Sequence, residues 1–223
     1  MNQAFLRVEY PDVFWGTISS SGVVKAIYDY WEYFEPIRKE APQDCVEGTQ
    51  TFVDMFDTIL IDKNDDGELT TLLKDFFLLG DLTHTDDFVN LLASGITGWQ
   101  GTNWDPEVNS PGFSLYCSNI TTEELLYPVT PERKANAEKI IKAGGGDPSV
   151  WTNPLLNYAG WINATSVYPC TSGDQTLDEC FGNYDPNFYK QDDISQTWRC
   201  WPYQFCTEYV TLPDPREANM QFP

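Results

Sequence analysis

The sequence predicts a mostly α protein: a helical insertion over roughly residues 23 to 195, held between two short pieces of an α/β core. Three observations predict it. Apolar residues recur at helical spacing through the middle of the chain. Proline and glycine stand where those runs should start and stop. The opening residues read as one helix and one strand, half of an α/β unit, and half a unit has nothing to pair with.

The elements follow in order. Asn2 to Tyr10 reads as a short helix with apolar Ala4, Phe5, Leu6 and Val8, ended by Pro11, which pushes its predecessor out of the helical region. Val13 to Ser19 reads as a strand. Val23 to Glu35 carries Val24, Ile27, Tyr30, Trp31 and Phe34 at helical spacing, with Pro36 closing it. Asp44 should cap a helix whose buried face is Val46, Phe52, Val53, Phe56, Ile59 and Leu60. Leu69 to Leu79 and Thr85 to Ala93 are two more helices. Thr130 followed by Pro131 is a cap with proline at the first helical position, and Gly144 to Gly146 stops that helix near Ala143. Residues 98 to 113 (GWQGTNWDPEVNSPGF) and Tyr168 to Asp193 read as irregular.

Composition bounds the function. The chain has 223 residues, 41% hydrophobic and 15% aromatic, with a formal net charge of −21. That is globular chemistry. The charge argues against nucleic acid, whose phosphates need Lys and Arg, and against an anionic membrane surface. No window reaches the roughly 18 apolar residues of a membrane span. The six cysteines, Cys45, Cys117, Cys170, Cys180, Cys200 and Cys206, contain no C-x-x-C pair, and there is one histidine, so a zinc site is not expected. An even cysteine count with two glycosylation sequons, Asn119-Ile-Thr and Asn163-Ala-Thr, points to a secretory history. No signal peptide opens the chain at Met1. The expectation is therefore that the natural N-terminus lies further upstream.

The catalytic motifs are partial. No G-x-S-x-G turn is present; Ser19, Ser20 and Ser21 precede Gly22 but read as capping residues. His84 is the only imidazole and reads as a polar loop residue before a helix. Asp62, Asn64, Asp66 and Gly67 imitate the start of an EF-hand, yet the twelfth position is Leu73, where calcium needs a bidentate Glu. The glycine run lacks the G-K-[ST] ending of a phosphate loop. No carboxylate pair is marked as a glycosidase acid and base. No metal or other cofactor is expected. Trp198 to Glu208 (WRCWPYQFCTE) is aromatic and turn-prone, which suits either the wall of a pocket or a disulfide-stapled core strand.

Two segments carry a resemblance. Ala4 to Pro11 (AFLRVEYP) followed by FWGTISSSG, and Thr197 to Glu208 (TWRCWPYQFCTE), resemble the serine exopeptidases that include prolyl carboxypeptidase, dipeptidyl peptidase II and thymus-specific serine protease, closest to fungal secreted members. The Cys45 helix and the 98 to 113 segment with Cys117 extend the likeness over most of the chain. The resemblance implies a helical cap inserted in an α/β-hydrolase fold: 1–22 a remnant of the core, 23–195 the cap, 196–223 the return to the core. It implies hydrolysis of peptides next to proline, in a secreted, vacuolar or lysosomal setting. One residue or two, and either terminus, stay open. The family's nucleophile sits in a G-G-S-Y-[AG]-G turn, expected before Met1. Its Asp and His are expected after Pro223, so this chain alone should be inactive. Trp201, Tyr203, Gln204 and Glu208 are implied pocket residues. Cys45–Cys117 matches a family pair. Among the three pairings of the other four, Cys180–Cys206 with Cys170–Cys200 is preferred. Two other readings stand beside this one: a secreted aromatic module binding glycans or peptides, and a calcium-regulated protein resting on Asp62 to Leu73.

Overall fold

The computed structural model describes residues 2–18, 31–62, 67–99, 101, 102, 105, 111–185, 190, 192, 193 and 203. The chain divides into two compact units, one made of Met1–Tyr33 with Pro186–Pro223 and one of Phe34–Asp185.

In the first unit, helix α1 (Asn2–Glu9) forms as expected. The strand expected from Val13 does not. Residues 13–18 are irregular, with Val13, Trp15 and Ile18 74%, 95% and 86% exposed, and Ser19 lies outside the described residues. A strand exists by pairing its backbone with a neighbour, and the described residues form no ladder.

Among its described residues the regular elements of the second unit are all helical. A 3-10 turn (Trp31–Phe34) crosses into it and leads to α2 (Glu35–Glu40). Pro36 opens this helix instead of closing the one before it. At the first turn its missing N–H is one of the donors a helix leaves unpaired anyway. Helix α3 (Gln43–Asp57) has Pro42 at its N-cap position with no side-chain cap, and Asp44 is its second residue, accepting from the Cys45 N–H at 2.9 Å. A π turn (Thr58–Asp62) prolongs it. Its buried face is Cys45, Gly48, Phe52, Met55, Phe56 and Ile59; Val46, Val53 and Leu60 are half-buried.

Helices α4 (Glu68–Phe76), α5 (Thr85–Leu92) and the single turn α6 (Ser94–Thr97) follow. Helix α7 (Gly112–Thr121) begins inside the stretch read as loop, and α8 (Pro131–Ala143) is capped as read, Thr130 Oγ1 accepting from Arg133 N at 3.2 Å. Gly145 then turns the chain at φ +83°, with Gly146 N–H returning to Ile141 O. Helix α9 (Pro148–Ile162) runs on through a π turn (Asn163–Val167) into α10 (Tyr168–Thr171), and α11 (Leu177–Phe181) ends the series. The region after Tyr168 is thus more ordered than read. Thr176 and Glu179 form a reciprocal capping box that starts α11.

Helix α9 is the axis of the unit. It packs on α7 and α8, while α3 packs on α7 and α4 on α8. Tyr158, wholly within the core, meets the rings of Phe52, Phe77, Tyr116 and Trp161 at centroid distances of 5.4 to 6.4 Å and donates to Leu92 O at 2.7 Å. Such aromatic pairs contribute about 0.5–1.5 kcal/mol each beyond area burial. The aromatic wealth read as a possible binding surface is in large part this core: Phe52, Phe56, Phe76, Phe77, Phe88, Phe113, Tyr116 and Tyr158 are all buried. Gly95 lets α6 approach it, since a Cβ there would lie 2.3 Å from the Tyr116 ring.

Cys45–Cys117 joins α3 to α7 across 72 residues. The second bridge corrects the sequence reading: Cys170 pairs with Cys180, so neither Cys170–Cys200 nor Cys180–Cys206 forms. The turn between α10 and α11 brings the two Cα atoms to 6.2 Å, within disulfide reach, over only ten residues. Cys200 and Cys206 lie outside the described residues.

Asn157 is wholly buried; its Oδ1 accepts from Leu126 N at 2.8 Å and its Nδ2 donates to Glu124 O at 2.7 Å. These bonds pin the α7–α8 connection onto α9. Asn157→Ala should lower unfolding free energy by about 1–3 kcal/mol in urea titration, because it strands both backbone groups. Breaking Cys45–Cys117 by a double Ser variant should cost about 4 kcal/mol, and breaking Cys170–Cys180 about 3, since the shorter loop constrains the unfolded chain less. Equal losses would count against that chain-entropy account.

Candidate functional site

A serine hydrolase centre needs a hydroxyl on an imidazole and an acid behind it. His84 stands at the N-terminal end of α5, exposed, its ring stacked on Tyr184 at 3.9 Å between centroids. Tyr184 donates its hydroxyl to Asp86 at 2.5 Å. Asp178 on α11 accepts from the Thr83 N–H at 2.8 Å and from the Thr83 hydroxyl. Asp87, 1% exposed, accepts from Asn183 N at 3.3 Å and Asn183 Nδ2 at 2.8 Å. The cluster fastens α5 to α11 and the residues after it. The Thr83 hydroxyl is committed to a carboxylate, and no described residue sets a hydroxyl on His84. Ser19, Ser20 and Ser21 lie outside the described residues.

The described part of the EF-hand-like stretch after residue 66 leads into α4. Gly67 adopts φ +71° at its start, Glu68 pairs with Lys139 at 3.3 Å, and Leu73 is wholly buried in the core. A side chain packed among phenylalanines is no calcium ligand. Residues 63–66 lie outside the described ones. Among the described residues no three His, Cys, Asp or Glu gather as a metal site.

A groove of about 500 Å³ lies beside the first turns of α9 in the helical unit. Lys134 and Glu138 of α8, Glu123 of the α7–α8 connection, and Ser149, Val150 and Asn153 of α9 line it. Asn153 Nδ2 donates to Glu123 O at 2.7 Å, which fixes one wall to the other. Both charge signs and a 53% exposed Val150 face it. Its lining is polar and mixed in charge and contains no Ser–His–Asp arrangement. The sequence reading did not find the groove, because the three elements that form it lie up to 30 residues apart.

Of the pocket residues implied by resemblance, Tyr203 is described and is 67% exposed; Trp201, Gln204 and Glu208 lie outside the described residues. Both glycosylation sequons fall on helical segments, Asn119 inside α7 and Asn163 at the end of α9.

The family model described as serine carboxypeptidase S28 matches residues 2–218. The chain belongs to that family. A probable extracellular serine carboxypeptidase of Arthroderma benhamiae is 54% identical over 212 residues, covering 94% of this chain and 29% of the relative. The serine protease vicPa of Bipolaris victoriae is 22% identical over 202 residues, covering 90% of this chain and 36% of the relative. The chain spans about a third of the length of these curated relatives. No solved structure matches it. The mostly helical fold is that expected of the helical lid region of an S28 peptidase. Among the described residues no helix is long and apolar enough to cross a membrane.

The carboxylates of this S28 chain serve as hydrogen-bond acceptors. Asp147 is held below the usual range by the Ser149 hydroxyl and N–H, Asp178 by the Thr83 hydroxyl and N–H, and Glu179 by the Thr176 N–H and hydroxyl. Glu35 is lowered to about 2, first by its bond from Arg38 and then by Lys39. Each contributes stability that is full above the unfolded carboxyl value near 4 and is lost as pH falls through its lower folded value. Asp57 runs the other way: burial first, then Asp54 and Asp62, push it up, so acid relieves it. Stability should therefore change little from about pH 7 to about pH 5 and fall below about pH 4. Urea titrations across that range check it, and Asp178→Asn should make the fall shallower.

Proposed function

We propose that this chain forms the cap of a secreted serine exopeptidase that hydrolyses peptides next to proline. The observation that carries the reading is the family match over residues 2–218. The family description and that of the Arthroderma benhamiae relative are both of serine carboxypeptidases, which favours removal at the C-terminus over dipeptidyl cleavage. The extracellular description of that relative and two disulfides support the secretory route. Preference for proline rests on the resemblance carried by AFLRVEYP and TWRCWPYQFCTE.

On this reading the bond-breaking groups are supplied outside these residues. A serine attacks the scissile carbonyl, a histidine takes its proton and returns it to the leaving amine, and an acid orients the histidine. The chain contributes selection. The helical unit narrows access to a free peptide end, and Trp201, Tyr203, Gln204 and Glu208 line the approach. The exposed Val8, Val13, Trp15 and Ile18 of the first unit support a segment that seats on further protein, since such a run in water is unfavourable.

Two experiments test this. The purified chain should release nothing from peptides carrying proline near either end; release blocked by a serine-directed phosphonate refutes its inactivity alone. Replacing the matching segment of the Arthroderma benhamiae relative with this chain should preserve that protein's carboxypeptidase activity. In the graft, Trp201→Ala and Tyr203→Ala should raise KM for proline-containing peptides by about 5- to 10-fold with a smaller change in kcat, the signature of lost ground-state binding. A folded, secreted graft without activity would sink the cap assignment.

A further inference from the structure

The two sequons read alike in sequence and stand in opposite environments. Asn119 is 5% exposed in the last turn of α7. Its Nδ2 donates to Leu115 O at 2.8 Å, and its Oδ1 is buried without a partner. On either side Cys117 is bridged to Cys45 and Ile120 is wholly buried, its side chain 3.5 Å from where a Cβ on Gly48 of α3 would be. The Asn119 amide is therefore enclosed in the packing around α7. A sugar on that nitrogen would have to pass through an interface that holds no space for it, as interiors are packed near crystal density.

Asn163 is half-buried at the junction of α9 and the π turn. Its backbone N–H is satisfied by Ala159 O and Gly160 O. Its side-chain amide makes no hydrogen bond to the described residues. Ala164 and Thr165, the rest of its sequon, are both exposed, as is Tyr168 at 66%. Among the described residues none competes for the Nδ2, and its neighbours Ala164, Thr165 and Tyr168 are open to water.

We propose that in the folded, secreted protein Asn163 carries an N-linked oligosaccharide and Asn119 carries none. The donor is a lipid-pyrophosphate oligosaccharide. The Asn163 Nδ2 bonds to the anomeric carbon of its first sugar, the carbon–oxygen bond to the pyrophosphate breaks, the lipid pyrophosphate leaves, and one amide proton passes to the transferase's base. Transfer precedes folding, so selection acts afterwards. A chain modified at Asn119 cannot bury that residue of α7 and fails to reach the folded, secreted state. Asn119 is kept instead as an internal polar contact of α7.

The test secretes the full chain from a eukaryotic host behind a foreign signal sequence, which makes it independent of the peptidase reading. Removal of N-glycans by an amidase, followed by intact-mass and peptide mapping, reads the sites. The expected result is one glycan on the wild-type chain, at Asn163. Thr165→Ala and Asn163→Gln should abolish it. Thr121→Ala destroys the other sequon while leaving Asn119 in place, and should change neither the mass shift nor secretion. A non-reducing map checks Cys45–Cys117 in each secreted variant. Two glycans, none, or loss of the glycan in Thr121→Ala would overturn the proposal.

Discussion

The helical unit depends on burying one helix on nearly every side. From Thr152 to Ala159, α9 exposes almost nothing; only Asn153 is even half-open. A helix in that position must satisfy two demands together. Its apolar side chains need neighbours all around, which α8, Phe52 of α3, Tyr116 of α7, Phe77 at the end of α4 and the end of α5 provide. Its polar atoms need bonds inside the protein, because a buried unpaired group costs about 1–3 kcal/mol. Asn157 and Tyr158 meet that demand at consecutive positions, one tying down the Glu124–Leu126 backbone and the other the end of α5. Pro154 inside the same helix cannot donate to Val150 O. It is tolerated where Val150 is 53% exposed and water can serve that carbonyl.

This central burial also explains what could and could not be read in advance. Helices α3, α4, α5 and α8 were legible because each has one wet face, giving periodicity, or because Thr130, Pro131 and Gly145 mark its ends. Helix α9 leaves no such trace. It is apolar almost all round, so no period stands out, and it carries a proline that reads as a break. Helix α7 was hidden behind Pro111 and Gly112, turn residues that here begin a helix. The Val13 strand failed for the reverse reason. Its local pattern is right, but a strand is made by its partner, and local pattern says nothing of one. The Cys170–Cys180 pairing was equally out of reach, since spacing leaves several connectivities open and the decision belongs to the turn that brings α10 to α11.

Charge plays a smaller part in holding the fold than its quantity suggests. Lys and Arg number 13 against 34 Asp and Glu, so most acids cannot be paired. The described ion pairs, Arg38 and Lys39 with Glu35 and Lys139 with Glu68, lie at the surface, where such pairs contribute about 0–1 kcal/mol. The acids that matter are those accepting from backbone N–H groups: Asp44 and Asp147 at helix starts, Glu179 in the capping box, Asp178 at Thr83, and Asp87 at Asn183. Each is also favoured by position near a helix N-terminus or a tight turn, where N–H groups lack partners. A chain this acidic is held by its core and its caps.

These contacts bear on what the groove beside α9 can do. Its walls come from α8, α9 and the connection between α7 and α8, and that connection is the segment Asn153 and Asn157 fasten to α9. The two asparagines lie four residues apart, on one face of the helix, so a single ridge orders the rim from Glu123 to Leu126. A binding wall held this way is already in place before any ligand arrives, and little ordering entropy remains to be lost on association. On the proposed reading that is what selection by a cap requires. A flexible wall would admit any chain end at some cost, whereas a fixed one distinguishes peptides by shape and by where a terminal charge falls between Lys134 and the glutamates Glu123 and Glu138. On that reading discrimination comes from burial that fixes the wall, with no catalytic group within the groove.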